Sequence, residues 1–270
     1  MIAQLRSLAN DERHLGWLSF GVIWLLLMLM LPIVDWLSAG QAFALMVTLV
    51  VIAQVLAVGA MARLAWSWHR LADAFAVVAI SAWLAEFAGS QFGWIFGAYD
   101  YTSLLQPQLA GVPVLIPLAW AMLLPAAWAV ASRFVSPRHA VRFALVSALV
   151  FTAWDLFLDP QWVARGLWTW ETAGAYFGIP VSNYLGWLIT SAVITYLVHP
   201  VDLGEATQPL AGLYTIVAVT QAMALGLFWG QPGPALVGFV AMGGISGAYW
   251  WLSWRQGRLA GTRRRIGRAH

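Results

Sequence analysis

Roughly every thirty residues this chain presents another apolar run about twenty residues long, the length a helix needs to cross a ~30 Å hydrocarbon layer. The runs fall at 15–34, 40–62, 71–95, 113–132, 139–158, 179–198, 208–229 and 234–254. A backbone N–H or C=O left unpaired in lipid is costly, so a chain built this way must fold each run as a helix. The fold class that follows is all-α: a polytopic membrane helix bundle of about eight transmembrane helices, with residues 1–270 as a single transmembrane domain in the cell membrane. Composition agrees, since 61% hydrophobic and 9% charged residues exclude an ordinary soluble domain. The first run is too long for a signal peptide, lacks a small-residue cleavage site and leads into further spans, so it is expected to be mature structure.

Charge sets the expected orientation. All 14 basic residues are Arg. Arg6 and Arg13 precede the first run, Arg63 and Arg70 separate the second and third, Arg133 and Arg138 separate the fourth and fifth, and six more follow the last. Every second connection is therefore basic, which predicts cytoplasmic N- and C-termini and a basic cytoplasmic tail over 255–270. The connection 199–206 carries His199, Asp202 and Glu205 but no Arg, against the pattern. A pI of 9.6 does not signal nucleic acid here, because the Arg residues sit at span ends where anionic lipid headgroups are the nearer partner. No cysteine is present, which removes disulfides, thiolate metal sites and thiol nucleophiles, and the lack of lysine removes Schiff-base chemistry.

Against this background, three polar residues stand out by depth. Glu86 lies 16 residues past Arg70, Asp155 lies 17 past Arg138, and Asn183 lies 16 before His199. At about 1.5 Å per helical residue, each sits ~24–26 Å from the arginine-bearing edge. One level just below the opposite surface is expected to hold all three, under the connections 96–112 and 159–178. Ionisable groups at membrane depth are functional candidates by default. Asp159 shares a helical face with Asp155, and Trp83 with Glu86 on a stripe that continues through Ser90, Gly93 and Gly97. Other readings stand beside this one. Trp and Tyr at a membrane surface commonly form an aromatic belt, glycine stripes commonly serve helix packing, and Asp159 before Pro160 is a natural helix terminator. Asp35, Asp73 and the Arg residues read as interfacial anchors. Metal-ligating clusters, phosphate loops and Ser-His-Asp arrangements are not evident, and the five His lie near span ends.

This inventory suits one kind of chemistry. A carboxyl kept from water can carry a proton to an alkene, a second can handle water, and Trp and Tyr faces can stabilise a cation. The expected substrate is a long apolar polyene that arrives through the lipid.

The residues Glu86, Gly89, Gly93, Gly97, Tyr99 and Tyr101, then Trp154-Asp155-Leu156-Phe157-Leu158-Asp159-Pro160, then Trp168 and Trp170, then Tyr176-Phe177-Gly178-Ile179-Pro180 with Asn183, Gly186 and Trp187, resemble the membrane-bound carotenoid hydratase family, also called carotenoid biosynthesis proteins. The resemblance covers roughly residues 80–190. It implies addition of water, without cofactor or metal, across the terminal 1,2 double bond of an acyclic carotenoid end. Expected partners are the carotenoid, water, membrane lipids and other enzymes of the carotenoid pathway. Joined to the residue reading, it makes Asp155, Glu86 and Asp159 the catalytic candidates. Asp155 is slightly favoured as acid because Asp159 lies one turn away. Asn183 would position water, with Trp154, Tyr99, Tyr101, Trp83, Trp187, Trp168, Trp170 and Tyr176 around the substrate. Two other classes fit parts of the pattern. A membrane prenyltransferase would use Asp155 and Asp159 for magnesium diphosphate, with Arg165 as its clamp in the outer loops. A carotenoid-binding protein without catalysis would use the apolar pocket and not need the carboxylates.

Overall fold

The computed structural model describes the backbone of residues 2–266 and the side chains of residues 15–256 together with Arg258. Helices α1 (Ile2–Leu37), α2 (Phe43–Ala62), α3 (Trp68–Phe92), α4 (Leu115–Ala131), α5 (Ala140–Ala164), α6 (Val181–Val198) and α7 (Thr207–Met223) follow in order. Helix α7 runs on through a π-helical turn, Ala224–Phe228. After it, α8 (Pro232–Gly238), a π turn Phe239–Gly243 and α9 (Gly244–Ile266) form one continuous rod. Seven segments are long and apolar enough to cross a membrane, and α4 is a shorter apolar helix. The protein is a multi-pass, all-α membrane bundle.

Helix α4 is the axis of the bundle. Its sequence, LIPLAWAMLLPAAWAVA, is apolar on every face, so it can be buried all round. It packs against α2, α3, α5, α7 and α9. The surrounding helices turn large apolar side chains outward at helical spacing. Leu45, Leu49, Ile52 and Leu56 on α2, and Leu185, Ile189 and Val193 on α6, are examples of this lipid-facing surface.

The two ends of the bundle differ. At one end arginines tie helices together: Arg70 donates to the Val198 and His199 carbonyls at the end of α6, at 2.7 and 2.8 Å, and Arg133 donates to the Leu252 carbonyl of α9 at 2.5 Å. The connection after α6, which has no Arg of its own, thus borrows Arg70 to satisfy its orphan carbonyls. Arg6 and Arg13 lie outside the described side chains, as do Arg263, Arg264, Arg265 and Arg268. The helical backbone of α9 reaches Ile266, so most of the stretch expected as a tail continues the last helix.

At the other end the two long connections expected to lie over the polar residues form a roof, and they build it from short strands. Strand β1 (Tyr99–Tyr101) pairs antiparallel with β4 (Trp168–Trp170), in the register Tyr99 to Trp170, Asp100 to Thr169 and Tyr101 to Trp168. Side chains alternate along a strand, so the four aromatic rings share one face and Asp100 and Thr169 the other. A second short pair, β2 (Gln108–Leu109) with β3 (Val112–Pro113), leads into α4.

Two expectations are corrected at this end. Asp159 does not terminate its helix: α5 continues through Pro160 to Ala164. Proline removes the N–H that would bond the Leu156 carbonyl, and the Tyr176 hydroxyl donates to that carbonyl instead, at 3.0 Å. Burial pushes the Tyr176 hydroxyl up to about 12, so it remains a donor at neutral pH. Tyr176→Phe is expected to cost about 1–2 kcal/mol by leaving a carbonyl unpaired. Thermal unfolding in detergent reads this directly, with Tyr184→Phe as the neutral comparison because the Tyr184 hydroxyl has no hydrogen-bond partner among the described residues.

Asp35 is not an interfacial anchor. It is buried, and Arg165 meets it with both guanidinium nitrogens, at 3.0 and 2.5 Å, while the Trp229 indole N–H donates at 2.9 Å. The guanidinium also lies over the rings of Phe43 and Trp229. One ion pair thereby joins α1, α2, the end of α5 and the turn after α7.

Candidate active site

Glu86 is buried on α3, nearly two turns before its end and more than three turns from the nearest other charge on the same helix, Asp73. Its carboxylate accepts three hydrogen bonds: Tyr99 and Tyr101 donate to Oε2 at 2.5 and 2.7 Å, and the Trp120 indole donates to Oε1 at 3.1 Å. Burial first, and then the charge of Glu86, push both tyrosine hydroxyls well above their usual range. They therefore stay protonated and each keeps a hydrogen to donate. Tyr99 reaches the helix because Gly89 leaves room: a Cβ there would stand 3.0 Å from the Tyr99 ring and hydroxyl and 2.8 Å from Phe96. On the other side of the same Phe96 ring, a Cβ at Gly186 would stand at 2.5 Å. Phe96 is thus wedged between α3 and α6 at two glycines, and the glycine stripes of both helices serve this wedge.

The second polar group lies on α5 and α6. Asn183 opens α6 and spends both amide hydrogens on one pair of carboxylates, donating to Asp155 Oδ2 at 2.7 Å and to Asp159 Oδ2. The Trp168 indole donates to Asp159 Oδ1 at 2.8 Å. Asp155 Oδ1 has no hydrogen-bond partner among the described residues. Glu86, Asp155, Asp159 and Asn183 are 5%, 0%, 2% and 2% exposed, so none is placed as a surface group.

Glu86, Asp159 and Asn183 line one cavity of about 30 Å³, room for a water or two. Its walls are aromatic. Trp120 and Trp187 stack with centroids 4.7 Å apart and 20° between planes, Tyr99 lies 5.0 Å from Trp170, and Tyr101 lies 5.9 Å from Trp168. Phe96 and Trp162 complete the enclosure.

The structure divides the expected residues. Glu86, Asp159, Asn183, Tyr99, Tyr101, Trp168, Trp170 and Trp187 all line this cavity. Four do not. Asp155 does not line the cavity and is joined to it through Asn183, which donates to both aspartates. Trp154 lines a different cavity and meets this one only through its edge contact with Trp187. Trp83 stacks on Phe87 and donates to the Leu109 carbonyl, away from the cavity. Tyr176 is used on the Leu156 carbonyl. Arg165, the one residue available as a diphosphate clamp, is held by Asp35.

Reasoning from sequence missed Trp120 and Phe96. A signal for Trp120 existed: an indole N–H in a wholly apolar helix needs a buried acceptor, and Glu86 is one. A signal for the roof also existed in the alternation Tyr-Asp-Tyr and Trp-Thr-Trp.

Residues 44–245 match the model of the family described as carotenoid biosynthesis protein. The chain belongs to this family. Every residue of the cavity falls inside the matched range. Among its relatives is the bisanhydrobacterioruberin hydratase of Haloarcula japonica, 34% identical over 116 residues, which cover 42% of this chain and 39% of the relative. The chain thus spans about two fifths of that relative's length. No solved structure matches. For this carotenoid biosynthesis protein, the observed geometry offers two separate acidic groups in the wall of one small, aromatic cavity. One is a carboxylate saturated by donors, and the other is a pair of carboxyls joined through a single amide.

Proposed function

We propose that this carotenoid biosynthesis protein is a hydratase that adds water across the terminal 1,2 double bond of an acyclic carotenoid end, using its own side chains as acid and base. The observation that carries the reading is the meeting of Glu86, Asp159 and Asn183, from three helices, in one aromatic-walled cavity within the membrane. The family membership and the hydratase relative support the same class of reaction.

The steps follow from the inventory. The Asp155 and Asp159 carboxyls, joined by Asn183, carry one proton between them, because two adjacent carboxylates in an apolar site cannot both stay ionised. Asp159, on the wall, delivers that proton to C2 of the end group. The positive charge forms at C1, where it is tertiary. The faces of Trp120, Trp187 and the roof tyrosines attract it, and Glu86 supplies the opposing charge. Water adds its oxygen to C1 and returns a proton to the carboxyl pair, so that alkene plus water gives tertiary alcohol and the acid is restored. Asp155, which does not line the cavity, is a positioning residue that completes the proton-holding pair. The end group enters laterally from lipid and widens the cavity, which at about 30 Å³ holds only a water or two before the substrate arrives.

Expression in a lycopene-accumulating host with mass analysis of the extracted pigments tests this. The expected result is a gain of one water for each end that has reacted, undiminished when membranes are assayed with a chelator. Unchanged lycopene in membranes that contain the folded protein overturns the reading, and activity that disappears with chelator favours a magnesium-dependent transferase instead.

A further inference from the structure

A second cavity, of about 40 Å³, lies between α1, α2, α4, α5 and α7, on the far side of Trp154. Three side chains that line it carry buried polar atoms with no hydrogen-bond partner among the described residues: Trp154 Nε1, Gln161 Oε1 and Gln221 Oε1. These residues are 1%, 2% and 9% exposed. Buried polar groups in folded proteins are almost always partnered, and leaving one unpaired costs a kcal/mol or more. Two amide oxygens and one indole N–H call for a ligand that donates at least twice and accepts once. Water meets that requirement, and the volume accepts it.

The location gives such water a use. Leu158 and Trp162 line both this cavity and the one that holds Glu86 and Asp159, so two side chains of α5 and the neighbouring Trp154 form the partition. Trp229 lines the second cavity as well, and its indole binds the buried Asp35 that pairs with Arg165. The cavity therefore lies between Trp229, which holds the ion pair at the roof end of the bundle, and the wall of the candidate active site.

We propose that the second cavity is a water-binding chamber that supplies the nucleophile for hydration across the partition of Trp154, Leu158 and Trp162. Its supplying role rests on the hydratase reading; its binding of water does not. Each turnover consumes one water in a site enclosed by lipid and aromatic rings. A store of bound water beside that site keeps the carbocation from losing its proton again before it is captured.

Two measurements test this separately. Radiolytic labelling in ¹⁸O water, on the full-length protein in nanodiscs, reads bound water beside methionine sulfur. Met28 and Met122 line the cavity and are buried, and Met242 is buried and lines neither this cavity nor the active-site cavity. Met28 and Met122 are expected to label several-fold faster than Met242. Equal rates would mean a dry cavity and end the proposal, whatever the enzyme does. The second measurement runs the reaction in D₂O with wild type and with Gln161→Leu and Gln221→Leu. Protonation at C2 does not need the chamber but capture does, so the ratio of deuterium in recovered alkene to hydrated product is expected to rise about tenfold in each variant. Gln221→Glu, which keeps an acceptor oxygen, is expected to restore the ratio. An unchanged ratio in both leucine variants overturns the supplying role. Absence of both deuterium uptake and hydration in wild type would instead overturn the hydratase reading, while the labelling result still decides whether the chamber holds water.

Discussion

Asp159→Asn is expected to abolish hydration, lowering turnover by about 10³-fold or more, the range for loss of a general acid aimed at the reacting atom. Asp159 is the member of the carboxyl pair that lines the cavity, and an amide in its place cannot deliver a proton. The change is nearly isosteric. It keeps a polar group toward Trp168 and leaves at most one N–H facing another donor, a cost of about 1–2 kcal/mol, small enough for the protein to remain folded. Size-exclusion profiles in detergent check the fold, and pigment analysis checks the activity. Asp155→Asn is expected to lower turnover less and to change the dependence of rate on pH, because it alters the proton shared by the pair without removing the delivering group. Near-normal hydration by Asp159→Asn would take the acid role away from that residue and leave Glu86 as the candidate.

The largest effect on stability is expected from Arg165→Met. Asp35 would stay buried with the Trp229 N–H as its remaining partner, and breaking a buried ion pair by removing one member costs about 3–5 kcal/mol. Because the pair ties four parts of the bundle at the roof end, the loss should also loosen the turn after α7. The double variant Asp35→Asn with Arg165→Met removes both charges and is expected to recover most of the loss, since the penalty comes from the uncompensated charge. Unfolding in detergent of both single variants and the double variant measures the coupling. A single Arg165→Met variant as stable as wild type would mean that the pair does not hold the helices together. The same contact bears on chemistry: an arginine committed to Asp35 is not free to clamp a diphosphate.

Much of the site's level was legible without coordinates. The rise of a helix is fixed by its own backbone hydrogen bonds, so counting from Arg70, Arg138 and His199 brought Glu86, Asp155 and Asn183 to one depth, and the structure joins Asn183 to the aspartates and sets it beside Glu86 in one cavity. Rotation about each helix axis was not legible in the same way. Which of Asp155 and Asp159 meets the cavity depends on how α5 is rotated against α4 and α6, and that is fixed by packing between helices rather than by spacing along one of them.

From its sequence alone, this protein was determined to be a bundle of membrane helices with arginines gathered at alternate connections and acidic residues deep in apolar runs. These properties are local, set by hydrophobic length and by the cost of an unpaired backbone in lipid. Tertiary structure alone decided that Trp120 binds Glu86, that two strands distant in the chain close a roof of four rings, and that Arg165 turns to Asp35. Each of these is a contact between residues far apart in the chain, chosen by which buried donor can reach which buried acceptor once the helices have packed.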